Sequence, residues 1–287
     1  MKLIATTLMM TFLCLMPLRA QDRDNIDGNL RVKYTYFFKM DSTKRGFLAD
    51  SSMCLDLIGN EAAFYSEKCF IVDSSLRASP FPITVAVNPP QEFKGTKERS
   101  RYFLNYKTKK YIKYDKALLT AAKGSGTLEQ PLWKIIDRYD TICGYPCRMA
   151  EAHYLGRTWG VWYTPSIPAS AGPWLLWGAP GLILYAEDRD YLFIFRATEI
   201  GELPYDRRKA VKYIADTWNR LRSYRNIQKM EEILTMTKRS YADDERMNGL
   251  KGEPFTVTDP DGTVRIIEQK YIPLIPENYW EKKGRKH

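Results

Sequence analysis

The stretch that decides the fold reads Trp174-Leu-Leu-Trp-Gly-Ala-Pro-Gly-Leu-Ile-Leu-Tyr185. It is nearly all apolar, and only two glycines and a proline interrupt it. A transmembrane helix needs about 20 apolar residues, so this stretch is too short to span a bilayer. The proline and the glycines also prevent a regular helix. The sequence therefore predicts a rigid, apolar, non-helical turn that leads into a strand, with residues 182–184 in the core.

The segment before this stretch, residues 162–173, is rich in proline and uncharged. Together, residues 162–181 are predicted to form a stiff loop between two strands. The residues expected to set the direction of the chain in this loop are Gly172, Pro173, Gly178 and Gly181.

Aromatic residues are concentrated in and just before this loop, with five large rings between residues 159 and 177. Most are predicted to lie in the core, because buried aromatic side chains contribute a large apolar area. The alternative is an apolar cleft or contact surface, where tryptophan and tyrosine are also enriched. A proline-rich loop leaves room for one or two exposed rings. The binding hypothesis therefore names Trp162, Tyr163, Trp174, Trp177 and Pro180.

The first twenty residues have the form of a secretory signal peptide, with Lys2, an apolar run and a small residue, Ala20, before Gln21. A membrane anchor is the competing interpretation, but the apolar run is short and no stop-transfer flank follows it. We therefore predict cleavage near Ala20 and a single mature domain, residues 21–287, without a transmembrane span. Its expected location is the periplasm or the periphery of the outer membrane.

Export also affects the cysteines. Outside the cytosol, the four that remain after cleavage could form two disulfides or stay as buried thiols, and three pairings are open. Zinc is the alternative, but the thiol spacing at 143 and 147 is not the usual one and no histidine cluster accompanies it. The sequence therefore predicts no metal site and gives a structural role to Cys54, Cys69, Cys143 and Cys147.

The chain carries a net charge of +10, and loss of Lys2 and Arg19 with the signal peptide would leave +8. A basic protein can bind nucleic acid, an anionic membrane or an acidic partner, or simply have a soluble basic surface. Export makes nucleic acid the poorest of these matches, so none is predicted.

Short alternating segments joined by tight turns predict an antiparallel meander. The predicted fold is mostly β (all-β to α+β), a curved sheet forming an open or partial barrel. Hairpins are expected to turn at Gly59-Asn60, Lys107–Lys109 and Leu155–Arg157, whereas 73–101 and 117–126 are expected to be connections.

The spacing of apolar residues along the sequence changes after residue 204. Apolar residues at three- and four-residue spacing predict a helical segment over about 206–240 that packs on the sheet. A final hairpin over 255–267, with its turn at Asp259-Pro-Asp-Gly262, and a basic tail complete the C-terminal part, 255–287.

No catalytic residue, cofactor site or metal site is identified. His153 is the only histidine before the C-terminal tail, and a Ser-His-Asp or Cys-His arrangement would depend on it entirely. Clustered carboxylates are more simply explained as surface charge. Whether the protein is an enzyme stays undecided, with a non-enzyme favoured.

Five motifs occur in an order that resembles the GLPGLI family, an exported family of the Bacteroidota: Thr141–Ala150, Gly156-Arg157, Val161–Pro168, Gly172-Pro173 and Gly178–Ile183. The last motif reads GAPGLI here, with Ala179 where the family usually has leucine. Cys147 matches the family's common cysteine, whereas Cys143 replaces an aliphatic residue. The resemblance implies an envelope location, a mostly β domain and an association with outer-membrane TonB-dependent transport systems, and it supplies no catalytic residues.

These observations predict a non-enzymatic exported protein that serves as an interaction or accessory module of an outer-membrane system. One alternative is a carrier of an apolar or lipidic ligand, held in a cleft between sheet and helix. Another is a hydrolase with an unrecognised carboxylate site.

Overall fold

The structure is a computed structural model that describes residues 29–39, 48–71, 101–117, 120–205, 225–226, 255–258, 264–267, 274–275 and 279. Its strands are β1 (Asn29–Phe38), β2 (Leu48–Ile58), β3 (Glu61–Ser66), β4 (Arg101–Asn105), β5 (Lys110–Ala117), β6 (Thr120–Thr127), β7 (Lys134–Ile142), β8 (Tyr145–Tyr154), β9 (Arg157–Thr164), β10 (Leu182–Asp188), β11 (Phe193–Glu202), β12 (Arg225–Asn226), β13 (Phe255–Thr258) and β14 (Val264–Ile267). A short helical turn covers residues 67–71.

Twelve of these strands form one sheet in the order β12-β6-β5-β4-β3-β2-β1-β11-β10-β9-β8-β7. It consists of two antiparallel meanders, β1–β6 and β7–β11, that join where β1 pairs with β11. The predicted mostly antiparallel β fold is confirmed, and the sheet is not closed into a barrel. Within the described residues, the pairing of β12 with β6 is the one parallel contact of the sheet.

The predicted hairpin turns are confirmed. Gly59 has a φ of 55° between β2 and β3, a conformation that glycine adopts without steric cost. The β4–β5 turn lies before Lys110 and the β8–β9 turn at Leu155-Gly156, as expected. The C-terminal hairpin is also confirmed by the antiparallel pairing of β13 with β14, although its turn lies outside the described residues.

Two expectations, one about a connection and one about the helix, are wrong. Much of 117–126, predicted as a connection, is strand β6, which pairs with β5 along its whole length. Its small polar residues lack an alternating pattern, but backbone pairing with β5 does not require one. Gly126 suits this strand because a Cβ there would lie 2.6 Å from the ring of Tyr111. Residues 225–226, inside the predicted helix, form β12 instead. The other residues of 206–240, most of the 73–101 loop and the tail lie outside the described residues.

The main core lies on one face of the sheet, which we call the inner face, and a smaller buried cluster of Cys54, Ala63 and Tyr65 is separate from it. The core cluster includes residues of β1–β5 and β8–β11, such as Tyr111 of β5 and Ala150 of β8. Strand twist accumulates in a sheet of this width, so the sheet curls and distant strands share one core. Aromatic rings dominate its centre: Tyr36 stacks on Phe195 at 4.4 Å between ring centroids, and Phe195 in turn lies 6.3 Å from Trp159.

The C-terminal part of the chain contacts this core through a short segment. Ile275 is buried in the core cluster, and the backbone oxygen of Leu274 accepts a hydrogen bond of 2.8 Å from Nε of Arg157. The described residues include no helix that is long and apolar enough to cross a membrane.

Candidate functional site on the outer face of the sheet

Residues 165–181, which connect β9 to β10, fold against the inner face of the sheet; we call them the plug loop. Six of its apolar residues have exposed fractions of 4% or less and belong to the core cluster: Ile167, Ala171, Trp174, Leu175, Leu176 and Ala179. At the start of β10, the backbone oxygen of Ile183 accepts a 2.6 Å hydrogen bond from the hydroxyl of Tyr34 on β1. The plug loop is therefore part of the core, and the start of β10 that follows it is bonded to the other meander.

Glycine is required at two positions of the plug loop. Gly181 has a φ of 147°, and a Cβ there would lie 2.1 Å from the backbone oxygen of Thr164. A Cβ at Gly172 would lie 2.8 Å from the backbone oxygen of Leu176 and 2.9 Å from Cβ of Ile183. Neither backbone oxygen is the end of a flexible side chain, so the contact could be relieved only by moving the chain.

The structure separates the residues of the binding hypothesis into two groups. Tyr163, Trp174 and Trp177 are buried, with exposed fractions of 3%, 1% and 6%. Trp162 is half-buried and Pro180 is exposed. The expectation that most of the aromatic residues here are core residues therefore agrees with the structure. Binding through Trp174 or Trp177 stays a prediction, and it would require the plug loop to leave the core.

Hydrogen bonds hold the plug loop at Trp177. The indole Nε1 of Trp177 donates to the backbone oxygen of Glu129 at 3.0 Å. The backbone oxygen of Trp177 accepts a hydrogen bond of 2.9 Å from Nε1 of Trp133. The ring also stacks on Tyr106 at 5.7 Å. The connection between β6 and β7 is thereby tied to the plug loop, which fixes where β7 begins.

The opposite side of the sheet, the outer face, carries a continuous row of side chains that starts at the edge strand β7. The strand registers place Ile136 opposite Met149, Met149 opposite Trp162, Trp162 opposite Tyr185, and Tyr185 opposite Arg196. Directly opposed residues point to the same face, and neighbouring strands lie about 4.8 Å apart. We call these five residues the outer-face row.

The outer-face row has the composition of a binding surface. Its first four members are half-buried and Arg196 is exposed, so water reaches the whole row. The guanidinium of Arg196 lies 5.7 Å from the ring centroid of Tyr185, within cation–π range. Tryptophan, tyrosine and arginine are the residue types that contribute most to protein–protein binding energy. Burial, followed by the hydrogen bond to Glu187, raises the pKa of Tyr185, which keeps its hydroxyl protonated.

Large apolar side chains are also exposed around β7, where the row begins. Leu132, Ile135 and Tyr139 have exposed fractions of 89%, 36% and 70%. The register shifts between Ile136 and Tyr139, so residues 137 and 138 form a bulge relative to β8. At the bulge, the hydroxyl of Tyr139 donates a 2.9 Å hydrogen bond to Asp137. Exposed apolar groups on an edge strand indicate a surface that another chain can use.

Cys54, Cys143 and Cys147 have free thiols, and the expected alternative of buried thiols describes Cys54 and Cys147. Burial raises the pKa of Cys54 to about 12 and that of Cys147 to about 11, which leaves both protonated at neutral pH. Cys143 is exposed at the β7–β8 turn with a φ of 51°, and its Sγ donates to the backbone oxygen of Ala197 at 3.3 Å. Among the described residues, no group of three or more potential metal ligands lies together.

A buried ionic network, which no sequence pattern predicts, stabilises β1–β3. Arg31 donates to both carboxylate oxygens of Asp56 at 2.7 Å and to Glu67 at 3.0 Å. Tyr65 donates to Asp56 at 2.6 Å. Arg31 and Asp56 have exposed fractions of 8% and 0%. These groups bond one another across paired strands, so we assign the network a structural role.

His153 lies on the solvent-exposed side of β8. Its Nδ1 is 3.4 Å from Oγ1 of Thr158, the residue opposite it on β9. This contact is a cross-strand pair on the surface of the sheet.

No protein-family model matches the chain, and no curated protein matches it. The chain is similar to solved structures of a protein named PNGF-II in the C2 and P21 space groups, each with a TM-score of 0.47 and 14% sequence identity over 74% of this chain. The match spans 33% and 34% of those two longer chains. We draw no conclusion about function from this likeness.

Proposed function

We propose that this protein is a non-enzymatic interaction module of the cell envelope, and that it binds an outer-membrane protein partner through the outer-face row. The observation that carries the proposal is the alignment of Met149, Trp162 and Tyr185 on three adjacent strands, all accessible to water. Side chains held by a sheet are already ordered, so binding costs less conformational entropy than it would on a loop.

The envelope location rests on the sequence. Residues 1–20 have the form of a signal peptide, and the ordered motifs resemble the GLPGLI family, whose members are associated with outer-membrane transport systems. The motif for which the family is named, residues 178–183, belongs to the plug loop and the start of β10. We therefore interpret the motif as a requirement of the fold and place binding on the other side of the sheet.

The ligand-carrier alternative receives less support. Side chains of the plug loop occupy the inner face, where an apolar ligand would have to lie against the sheet. The predicted helix that would cover such a ligand lies mostly outside the described residues, so the alternative stays a prediction.

Site-specific photo-crosslinking tests the proposed function. A photoreactive amino acid is placed at Met149 or at Tyr185 in the full chain expressed in its native envelope, and crosslinked products are identified by mass spectrometry. The matched control carries the same amino acid at Thr108, an exposed residue of the β4–β5 turn. We expect one defined outer-membrane protein to be captured from both row positions and not from the control.

Binding of the purified partner then tests the row itself. We expect Trp162→Ala to weaken binding about tenfold, because a central interface tryptophan typically contributes more than 1 kcal/mol. Thr108→Ala should leave the affinity unchanged. Equal capture from all three photoreactive positions, or unchanged affinity in Trp162→Ala, would contradict the proposal.

A further inference from the structure

We infer that the open side of β7 is a strand-addition site. It would take an extended segment of the partner that carries an apolar residue and, two positions away, an acidic residue. The inference rests on the proposed function, because the added strand would extend the outer-face row by one more member. It adds the mode of recognition and the chemistry of the partner.

The first support is the position of β7. It is the last strand of the sheet and pairs with β8 alone within the described part of the chain. Most of its residues are exposed, and only Ile136 and Ile142 are half-buried. An edge strand of this kind presents unpaired backbone N–H and C=O groups, and an extended peptide can add to it as a further strand.

The second support is the strand that already pairs with β7. On the outer face, β8 places Met149 opposite Ile136 and Glu151 opposite Lys134. The same two residues of β7 face a strand added on its other side, because side chains alternate between the two faces with a period of two. A matching segment therefore needs an apolar residue near Ile136 and a carboxylate near Lys134, two positions apart.

The third support is that β7 is protected against indiscriminate pairing. The bulge at residues 137–138 interrupts the regular edge, and the side chain of Asp137 there is 82% exposed. Bulges and charged residues are devices by which edge strands avoid aggregation. An added strand therefore fits the regular part before the bulge, at residues 134–136, and Lys134 selects its charge.

The test uses a defined probe, a fluorescein-labelled ten-residue peptide with the sequence of β8, residues 145–154, in which the cysteine is replaced by serine. Binding to the full chain is measured by fluorescence anisotropy. We expect saturable binding that Lys134→Glu weakens about fivefold, since opposed charges across strands contribute up to about 1 kcal/mol. A second peptide, with lysine in place of its glutamate, should prefer the Lys134→Glu protein to the wild type. Lys110→Glu, at an exposed position of β5, is the matched control protein.

Backbone pairing is tested on the peptide, so that the protein keeps its fold. Two versions carry N-methyl groups on alternate residues, one on the odd and one on the even positions. Because alternate N–H groups of an added strand point toward β7, one version should lose binding and the other should retain it. The inference would be overturned if both N-methylated peptides bound as well as the parent peptide, or if both lost binding equally. It would also be overturned if the lysine peptide showed no preference for the Lys134→Glu protein.

Failure of this inference differs from failure of the proposed function. If the partner is captured at Met149 and Tyr185 but the peptide does not bind, strand addition is wrong and the outer-face row stands. If the peptide binds with the expected charge preference but no partner is captured, β7 can accept an added strand and the proposed function is wrong.

Discussion

The plug loop and the β7–β8 hairpin both carry many apolar side chains, but the loop is uncharged and mostly buried, whereas strand β7 of the hairpin is charged and mostly exposed. Both are rich in aromatic and aliphatic side chains and both contain a left-handed turn residue, Trp174 with a φ of 55° in the loop and Cys143 with a φ of 51° in the hairpin. The loop fills the core, whereas the hairpin exposes Tyr139 at 70%. The difference follows from charge and from position in the sheet: the uncharged loop joins two interior strands, and β7 is a charged edge strand.

Two tryptophans show the same contrast at the level of single residues. Trp174 is 1% exposed and lies 5.7 Å from Trp159 in the core, whereas Trp162 is half-buried on the outer face. A count of apolar residues in the sequence does not distinguish these two tryptophans. Only the face of the sheet on which each lies decides whether it stabilises the fold or is available to a partner.

The largest expected effect on stability comes from removing the indole ring of Trp174 in the plug loop. Trp174→Ala should lower the free energy of unfolding by about 3–5 kcal/mol, because the buried indole leaves a cavity. Urea unfolding followed by circular dichroism measures it. Leu132→Ala, at the most exposed apolar position near the hairpin, is the control and should change stability by less than about 0.5 kcal/mol. Comparable losses in both variants would mean that the two regions do not differ in burial.

The next effect concerns the backbone of the plug loop. Gly181→Ala should destabilise the protein by about 3 kcal/mol, since the new Cβ meets the backbone oxygen of Thr164 and the φ of 147° is strained for alanine. In Gly201→Ala the new Cβ meets nothing within 4 Å, so this control should stay near wild type. The same urea measurement compares them, and a wild-type midpoint in Gly181→Ala would contradict the packing described for the loop.

A third prediction uses pH to probe buried groups on β1 and β2. Burial raises the pKa of Cys54 from 9.0 to about 12 and holds that of Tyr34 well above 10.0. The folded state therefore keeps protons that the unfolded chain loses. For Cys54 this stabilisation is complete below pH 9 and disappears as the pH rises toward 12, and for Tyr34 the loss begins above pH 10. The free energy of unfolding should fall by about 1.4 kcal/mol per pH unit for Cys54 above pH 9, and Tyr34 should add a similar slope above pH 10.

The variant Cys54→Ala separates the thiol from the tyrosines. Between pH 9 and 10 the tyrosines do not yet titrate in the unfolded chain, so the variant should show a shallower loss of stability than wild type in that range. Urea unfolding at half-unit pH steps measures the slope. If the stability of Cys54→Ala fell with pH as steeply as that of the wild type, the Cys54 thiol would not be a cause of the pH dependence.

The smallest expected effect on stability belongs to the outer face. Trp162→Ala should cost about 1 kcal/mol or less, because the ring is only half-buried and its loss leaves no closed cavity. Together with the expected tenfold loss of partner binding, this would separate the outer-face row from the core. A loss of stability equal to that of Trp174→Ala would show that Trp162 is a core residue instead.

Part of the outer-face row can be predicted from the sequence. The turn at Leu155-Gly156 is predictable, and counting back from it along both strands pairs Met149 with Trp162. The pairing of Tyr185 with Arg196 is visible only in the structure, where the β10–β11 register runs from Glu187 opposite Ile194 to Tyr185 opposite Arg196. Strand β6 is not predictable in this way, because its small polar residues give no alternation and only its pairing with β5 makes it a strand.

The sequence by itself determined the mostly antiparallel β fold, the hairpin turns and the non-helical apolar loop, because these depend on alternation, turn residues and helix-breaking residues a few positions apart. Only the tertiary structure decided that β1 pairs with β11, that Arg31 meets Asp56 and that Trp174 points inward while Trp162 points outward. A period of two shows that neighbouring side chains lie on opposite faces, but not which face is buried. Which face is buried depends on contacts between strands far apart in the chain, and the plug loop buries the inner face by packing against it.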